Sequence, residues 1–133
     1  VGAAAVLGCF NPLSIPANGN VNLQSGIPFG LGFGTAISAD AFGTTLVLQP
    51  GLYNVHFEAS GVQVNNPPAV IRLVLNGLPD VARWVSQPGN ASGIIIGDNF
   101  VRISAPNTTA SFVTPQAMAF DPSGCLVSLT KLQ

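Results

Sequence analysis

Between Gly51 and Ser60 the chain alternates strictly, with Tyr53, Val55, Phe57 and Ala59 on one side of an extended strand and Asn54, His56 and Glu58 on the other. Successive side chains of a β-strand point to opposite faces. The first set is a core face. The second is polar yet carries little charge beyond His56 and Glu58, which suits a surface that meets a neighbouring copy better than one open to water. Short runs rich in Val, Ile, Leu, Thr and Phe recur along the whole chain, with turn signals roughly every eight to twelve residues. The spacing predicts strands at Asn20 to Gln24, Gly34 to Ser38, Thr44 to Leu48, Gly51 to Ser60, Val70 to Leu75, Ala82 to Val85, Gly93 to Ile103, Ala110 to Thr114 and Cys125 to Leu132. No helical period is present. The fold class is therefore all-β, a two-sheet antiparallel sandwich or a barrel.

The punctuation between the runs is chemically consistent with that reading. The chain has 15 glycines and 11 prolines, and "QPG" at Gln49 to Gly51 and "QPGN" at Gln87 to Asn90 pair a fixed proline torsion with a permissive glycine. "LNGLP" at Leu75 to Pro79 places Asn-Gly between apolar runs, a strong hairpin signal. "DPSG" at Asp121 to Gly124 precedes the last strand in the same way. The run "GIIIG", Gly93 to Gly97, is uncharged and β-branched, so it is expected to be covered on both faces. Residues 1–19, apolar and then rich in Pro, Asn and Gly, read as an N-terminal entry arm or first strand, with residues 20–133 as one domain.

Composition sharpens the picture. Only 7% of the 133 residues are charged, against about 25% in an average soluble domain. A spanning helix needs about 20 unbroken apolar residues, and no window supplies them; "VGAAAVLGCF" stops at Asn11-Pro12 and lacks the basic start and cleavage pattern of a signal peptide. Membrane insertion is not expected. The apolar excess is read instead as surface covered by other copies of the chain. Net charge is −1, with Arg72, Arg83, Arg102 and Lys131 scattered singly. Nucleic-acid binding needs a basic stripe to meet phosphate, and none exists.

Candidate chemistry is sparse. His56 is the only histidine and Glu58 the only glutamate, and a general acid–base pair needs a nucleophile or metal in reach. No Gly-x-Ser-x-Gly motif provides one. The pair is therefore assigned to an interface or an ordinary structural role, and no catalytic residue is named. Cys9 and Cys125 have no metal-type spacing with His56. They are either a disulfide, which requires the first and last strands to be neighbours, or two buried thiols. Trp84 beside Arg83 is a candidate ligand anchor, with packing at a subunit seam as the structural alternative. Asn90-Ala91-Ser92 and Asn107-Thr108-Thr109 fit the glycan acceptor pattern and are read as turn residues. Asp40, Asp80, Asp98 and Asp121 stand alone, whereas calcium needs six or more oxygens together. No metal or cofactor is implied.

The run "TTLVLQPGLYNVHFEAS", Thr44 to Ser60, resembles the strand, Pro-Gly, Leu-Tyr strand signature of the tumour necrosis factor and C1q jelly-roll superfamily. More closely, Ile27 to Pro79 is similar to the C-terminal domain of the BclA-type collagen-like glycoproteins of bacterial spore surfaces, through Pro28-Phe29, Phe33 to Ser38, Thr45, Gly51, Tyr53, Leu75 to Gly77 and Pro79. After Pro79 the similarity is one of pattern only. The resemblance implies a ten-stranded, two-sheet jelly roll that assembles as a homotrimer, with Gly51, Tyr53 and Phe57 as core signature. It places His56, three residues after the tyrosine, at the trimer contact, flanked by Asn54 and Glu58. It also makes the first and last strands adjacent, which would bring Cys9 and Cys125 into range. The implied role is a non-enzymatic trimerisation and recognition head on the extracellular surface of a spore coat or exosporium. Its partners would be itself and, beyond that, other spore-surface proteins or host surface ligands. Three rivals follow from the same residues. A viral or phage capsid or fibre jelly roll and a secreted C1q/TNF-like ligand-binding module are also low in charge and oligomeric, and a hydrolase on a β-sandwich would hold His56 and Glu58 in a pocket beside a nucleophile.

Overall fold

A computed structural model describes residues 2–9, 14–24, 34–39, 45–66, 68–86, 93–121 and 125–133. Pro28-Phe29 of the resemblance, the Gln87 to Asn90 turn, the Asn90 acceptor site and Pro122 to Gly124 lie outside them. The strands are β1 (Ala3–Cys9), β2 (Ser14–Ile15), β3 (Gly19–Asn20), β4 (Leu23–Gln24), β5 (Ile37–Ala39), β6 (Leu46–Leu48), β7 (Gly51–Val64), β8 (Val70–Leu75), β9 (Leu78–Val85), β10 (Gly93–Ile103), β11 (Thr108–Thr114), β12 (Met118–Ala119) and β13 (Leu126–Lys131). Among the described residues there is no helix.

Two antiparallel sheets form. The first is built on β7, the longest strand at 14 residues, which pairs with β13 on one side and β10 on the other. From β13 the sheet continues through β1 to β4. β1 lies in the segment read from sequence as an entry arm or first strand, and it pairs with β13 along Ala3 to Gly8 and with β4 at Gly8 and Cys9. The second sheet runs β5-β6-β11-β8-β9, with β3 on β11. All pairings are antiparallel, so each strand can bury one face and present the other.

The inward faces interdigitate into one core. Tyr53, Val55 and Phe57 of β7 are fully buried and Ala59 nearly so, as the alternation predicts. Opposite them stand Leu46, Leu48, Ile71, Leu73 and Phe112 of the second sheet. Phe57, Trp84 and Phe112 meet at tilted angles with ring centroids 5.5 to 5.9 Å apart, the offset geometry that ring quadrupoles favour. Trp84 is 3% exposed and its indole N–H donates to the Gly97 carbonyl at 2.9 Å. That bond ties β9 of one sheet to β10 of the other. Trp84 is thus a core residue and a clasp between sheets, which corrects its reading as a ligand anchor or a seam contact. Its full burial leaves no ring face for a partner.

Turn chemistry holds where it can be followed. Asn76 and Gly77 join β8 to β9 with φ of 49° and 77°, the positive pair of a two-residue hairpin. The Asn76 side-chain oxygen accepts from the Thr109 N–H at 2.9 Å and fixes the hairpin to β11. β9 begins at Leu78, four residues before the expected start, because Leu75 pairs with Leu78 directly across that turn. β7 runs past Ser60 to Val64 because β12 supplies a partner for Gln63 and Val64.

Candidate functional site

The outward face of the first sheet gathers every residue singled out for an interface. Register places side chains in rows across four strands. Gly8, Leu126, Glu58 and Ile96 make one row; Val6, Ser128, His56 and Asp98 the next; Ala4, Thr130, Asn54 and Phe100 the third. At the centre, His56 Nδ1 lies 2.9 Å from Asp98 Oδ1 and Nε2 lies 3.6 Å from Glu58 Oε2. The His56–Glu58 approach follows from their i, i+2 spacing on one strand face. Asp98 arrives through pairing, as the register partner of His56 on β10.

One side of this face is built of large apolar residues and the other of small ones. On β10, Ile94, Ile96 and Phe100 are 43%, 51% and 68% exposed. This corrects the expectation for Gly93 to Gly97: Ile95 is buried, but its two neighbours point to the outside of the sandwich. Across β13 and β1 the outward positions are Leu126, Ser128, Thr130, Ala4, Val6 and Gly8, and a Cβ built on Gly8 meets nothing within 4 Å. The face is therefore ridged along β10 and hollow along β1. Between them, the side-chain oxygen of Asn54 is buried without a hydrogen-bond partner. A buried acceptor left unmatched costs roughly 1 to 3 kcal/mol.

The signature residues at the start of β7 have a structural explanation. Tyr53 is fully buried and its hydroxyl donates to the Gln49 carbonyl at 2.7 Å, closing the bend between β6 and β7. Burial raises the phenol above its ordinary pKa. Gly51 is required by close approach, since a Cβ there would run into the Gln133 carbonyl and the Lys131 side chain. Cys125 is 6% exposed and disulfide-bonded, and the sequence contains one other cysteine, Cys9. Gly8 pairs with Leu126, so the first and last strands run side by side there.

The geometry bears on catalysis as well. Ser128 is the register partner of His56, which lines up serine, histidine and aspartate across three strands, a juxtaposition that the sequence did not reveal. A working acyl-transfer site also needs backbone N–H groups aimed at the developing oxyanion. Here β7 and β13 are each paired on both edges, so their N–H groups are committed to the ladder. One open groove among the described residues, about 540 Å³, lies elsewhere, between Ser14 to Pro16, Gln63 to Asn65 and Ala117 to Ala119. It holds no titratable side chain. Among the described residues no three His, Cys, Asp or Glu side chains cluster for a metal.

These two sheets, their strand order and the buried β7 signature define a TNF/C1q-like jelly roll. Solved structures agree: murine APRIL superposes with a TM-score of 0.74 at 16% identity over 98% of each chain. The globular domain of zebrafish complement 1qA protein gives 0.65 at 12% over 100% of this chain and 98% of that one. The PRD1 vertex protein P5 gives 0.60 at 17% identity over 100% and 99%. No family model matches the sequence, and no curated protein is similar to it in sequence. The likeness is one of fold.

Proposed function

We propose that this domain is a self-assembling head, three copies packed about an axis through the outward face of the first sheet, that presents the remaining surface for recognition. The observation that carries it is the ridge of Ile94, Ile96 and Phe100 beside the hollow of Ala4, Val6 and Gly8, with the unmatched Asn54 oxygen between them. Ridge and hollow lie toward opposite edges of one sheet face. A contact that sets one copy's ridge into the next copy's hollow is heterologous, and such contacts close into a ring when the rotation between copies closes. Asn54, His56 and Glu58 then sit at the seam. The absence of an oxyanion-binding arrangement around His56 supports a non-enzymatic role.

The resemblance of Ile27 to Pro79 supports an extracellular place on a spore coat or exosporium, at the end of a collagen-like stalk. The likeness to the PRD1 vertex protein supports a second reading, a capsid or fibre component. Sequencing the gene upstream of this chain helps to separate the two, because Gly-X-Y repeats support the first. Light scattering tests assembly directly: the expected molar mass is three times 13.6 kDa, and Phe100→Asp is expected to give a folded single chain. A wild-type protein that remains a single chain at micromolar concentration defeats the proposal.

A further inference from the structure

The geometry points to proton-coupled assembly: His56 takes up a proton as copies associate, so the assembled form is favoured at mildly acidic pH and loosened as pH rises. This deepens the self-association reading and rests on it. His56 stands between two carboxylates, Asp98 at Nδ1 and Glu58 at Nε2. A neutral imidazole has one N–H, and its other nitrogen then offers a lone pair to a carboxylate oxygen. Only the imidazolium can donate to Asp98 and at the same time hold Glu58 as an ion pair across 3.6 Å.

The three side chains together carry a charge of −1 with His56 protonated and −2 with it neutral. In the separate chain their exposures are 24% for His56, 39% for Glu58 and 53% for Asp98, and water screens the difference. Covering the face with another copy removes that water, and an excess unpaired charge is costly to bury. Among the described residues, no cation stands in the rows of Glu58, His56 or Asn54. β13 presents Leu126, Ser128 and Thr130, and β1 presents Ala4, Val6 and Gly8, none of which titrates. Arg102 lies two rows away beside Leu52 and reaches Gln133. Lys131 pairs with Tyr53, out of step with this face. Arg83 belongs to β9 of the other sheet. Three copies about an axis would repeat the arrangement, so the charge spared by protonation accumulates.

The sign follows from linkage. The assembled state binds more protons than the separated chains, so association weakens as pH rises through the range where imidazoles titrate, roughly pH 5 to 8. At most one proton per chain is involved, which corresponds to about tenfold per chain per pH unit. The test is sedimentation equilibrium in graded urea, at several values between about pH 5.5 and 8.5, on wild type, His56→Gln and the double variant Glu58→Gln/Asp98→Asn. Dissociation of the wild type is expected at lower urea as pH rises. The histidine variant is expected to lose that slope, and the double variant, with no carboxylates to pair, to flatten or reverse it. An assembled wild type without pH dependence overturns the coupling alone. The same slope in either variant assigns the protons elsewhere and also overturns it. A single chain at every pH overturns the assembly reading with it.

Discussion

Tyr53 shows how one side chain can be legible in sequence for one reason and needed for another. Alternation placed it on the core face, and the Gly-x-Tyr pattern marked it as a signature. Its hydroxyl bond to the Gln49 carbonyl is a tertiary fact, because it depends on how the chain bends at Pro50. Tyr53→Phe keeps the ring and leaves that carbonyl unmatched, an expected loss of about 1 to 2 kcal/mol in urea unfolding. Tyr53 is also the only tyrosine, so its ionisation can be read alone by phenolate absorbance. Burial raises its folded pKa above the ordinary value of 10.0. Stability from this group is therefore intact below pH 10 and is lost as pH climbs through the folded value, since the unfolded chain ionises first. Wild type is expected to lose stability more steeply than Tyr53→Phe in that alkaline window. Trp84 teaches the opposite lesson. Tryptophan beside arginine reads as a surface anchor, and only the packing of β9 over β10 shows the indole enclosed against Phe57 and Phe112.

Among the elements, β7 and β8 were the most legible, because each has a clean period of two and a recognisable turn. β1 was the least. Its run of Ala, Val, Leu and Gly has no alternation of polarity, because its outward face carries small neutral residues where a solvent-facing strand would carry charges. β2, β3, β4 and β12 are two residues each, too short to leave a periodic signal. β10 misleads in an informative way. Three consecutive isoleucines look like a strand covered on both faces, and the single chain covers only one. If the missing cover is a neighbouring copy, filling the hollow opposite should block it without harming the fold. Gly8→Leu places its side chain in open space. It is expected to leave the unfolding transition of the single chain within about 0.5 kcal/mol of wild type while lowering the sedimenting mass.

At the scale of the whole molecule, the first and last strands are neighbours in the centre of one sheet, and Cys125 is disulfide-bonded there. A cross-link between residues far apart in the chain restricts the unfolded ensemble most, in principle by about 4 to 5 kcal/mol for a loop of roughly 100 residues. Reduction, or Cys125→Ala, is expected to lower the thermal midpoint by tens of degrees at most and several degrees at least, measured by calorimetry with and without reductant. An unchanged midpoint would show that packing of β1 between β13 and β4 suffices alone. What the amino-acid sequence determined by itself was local: strand period, turn residues, an all-β class, and the shortage of charge that demands a covered surface. Those follow from side-chain polarity and backbone torsions, which act over a few residues. Which residues meet across strands was decided only by tertiary structure. Asp98 reaches His56, Ser128 stands opposite it, and ridge and hollow share one face because of register, a property of pairings between segments dozens of residues apart. No local signal encodes that, since any strand with the same alternation could have taken the same place.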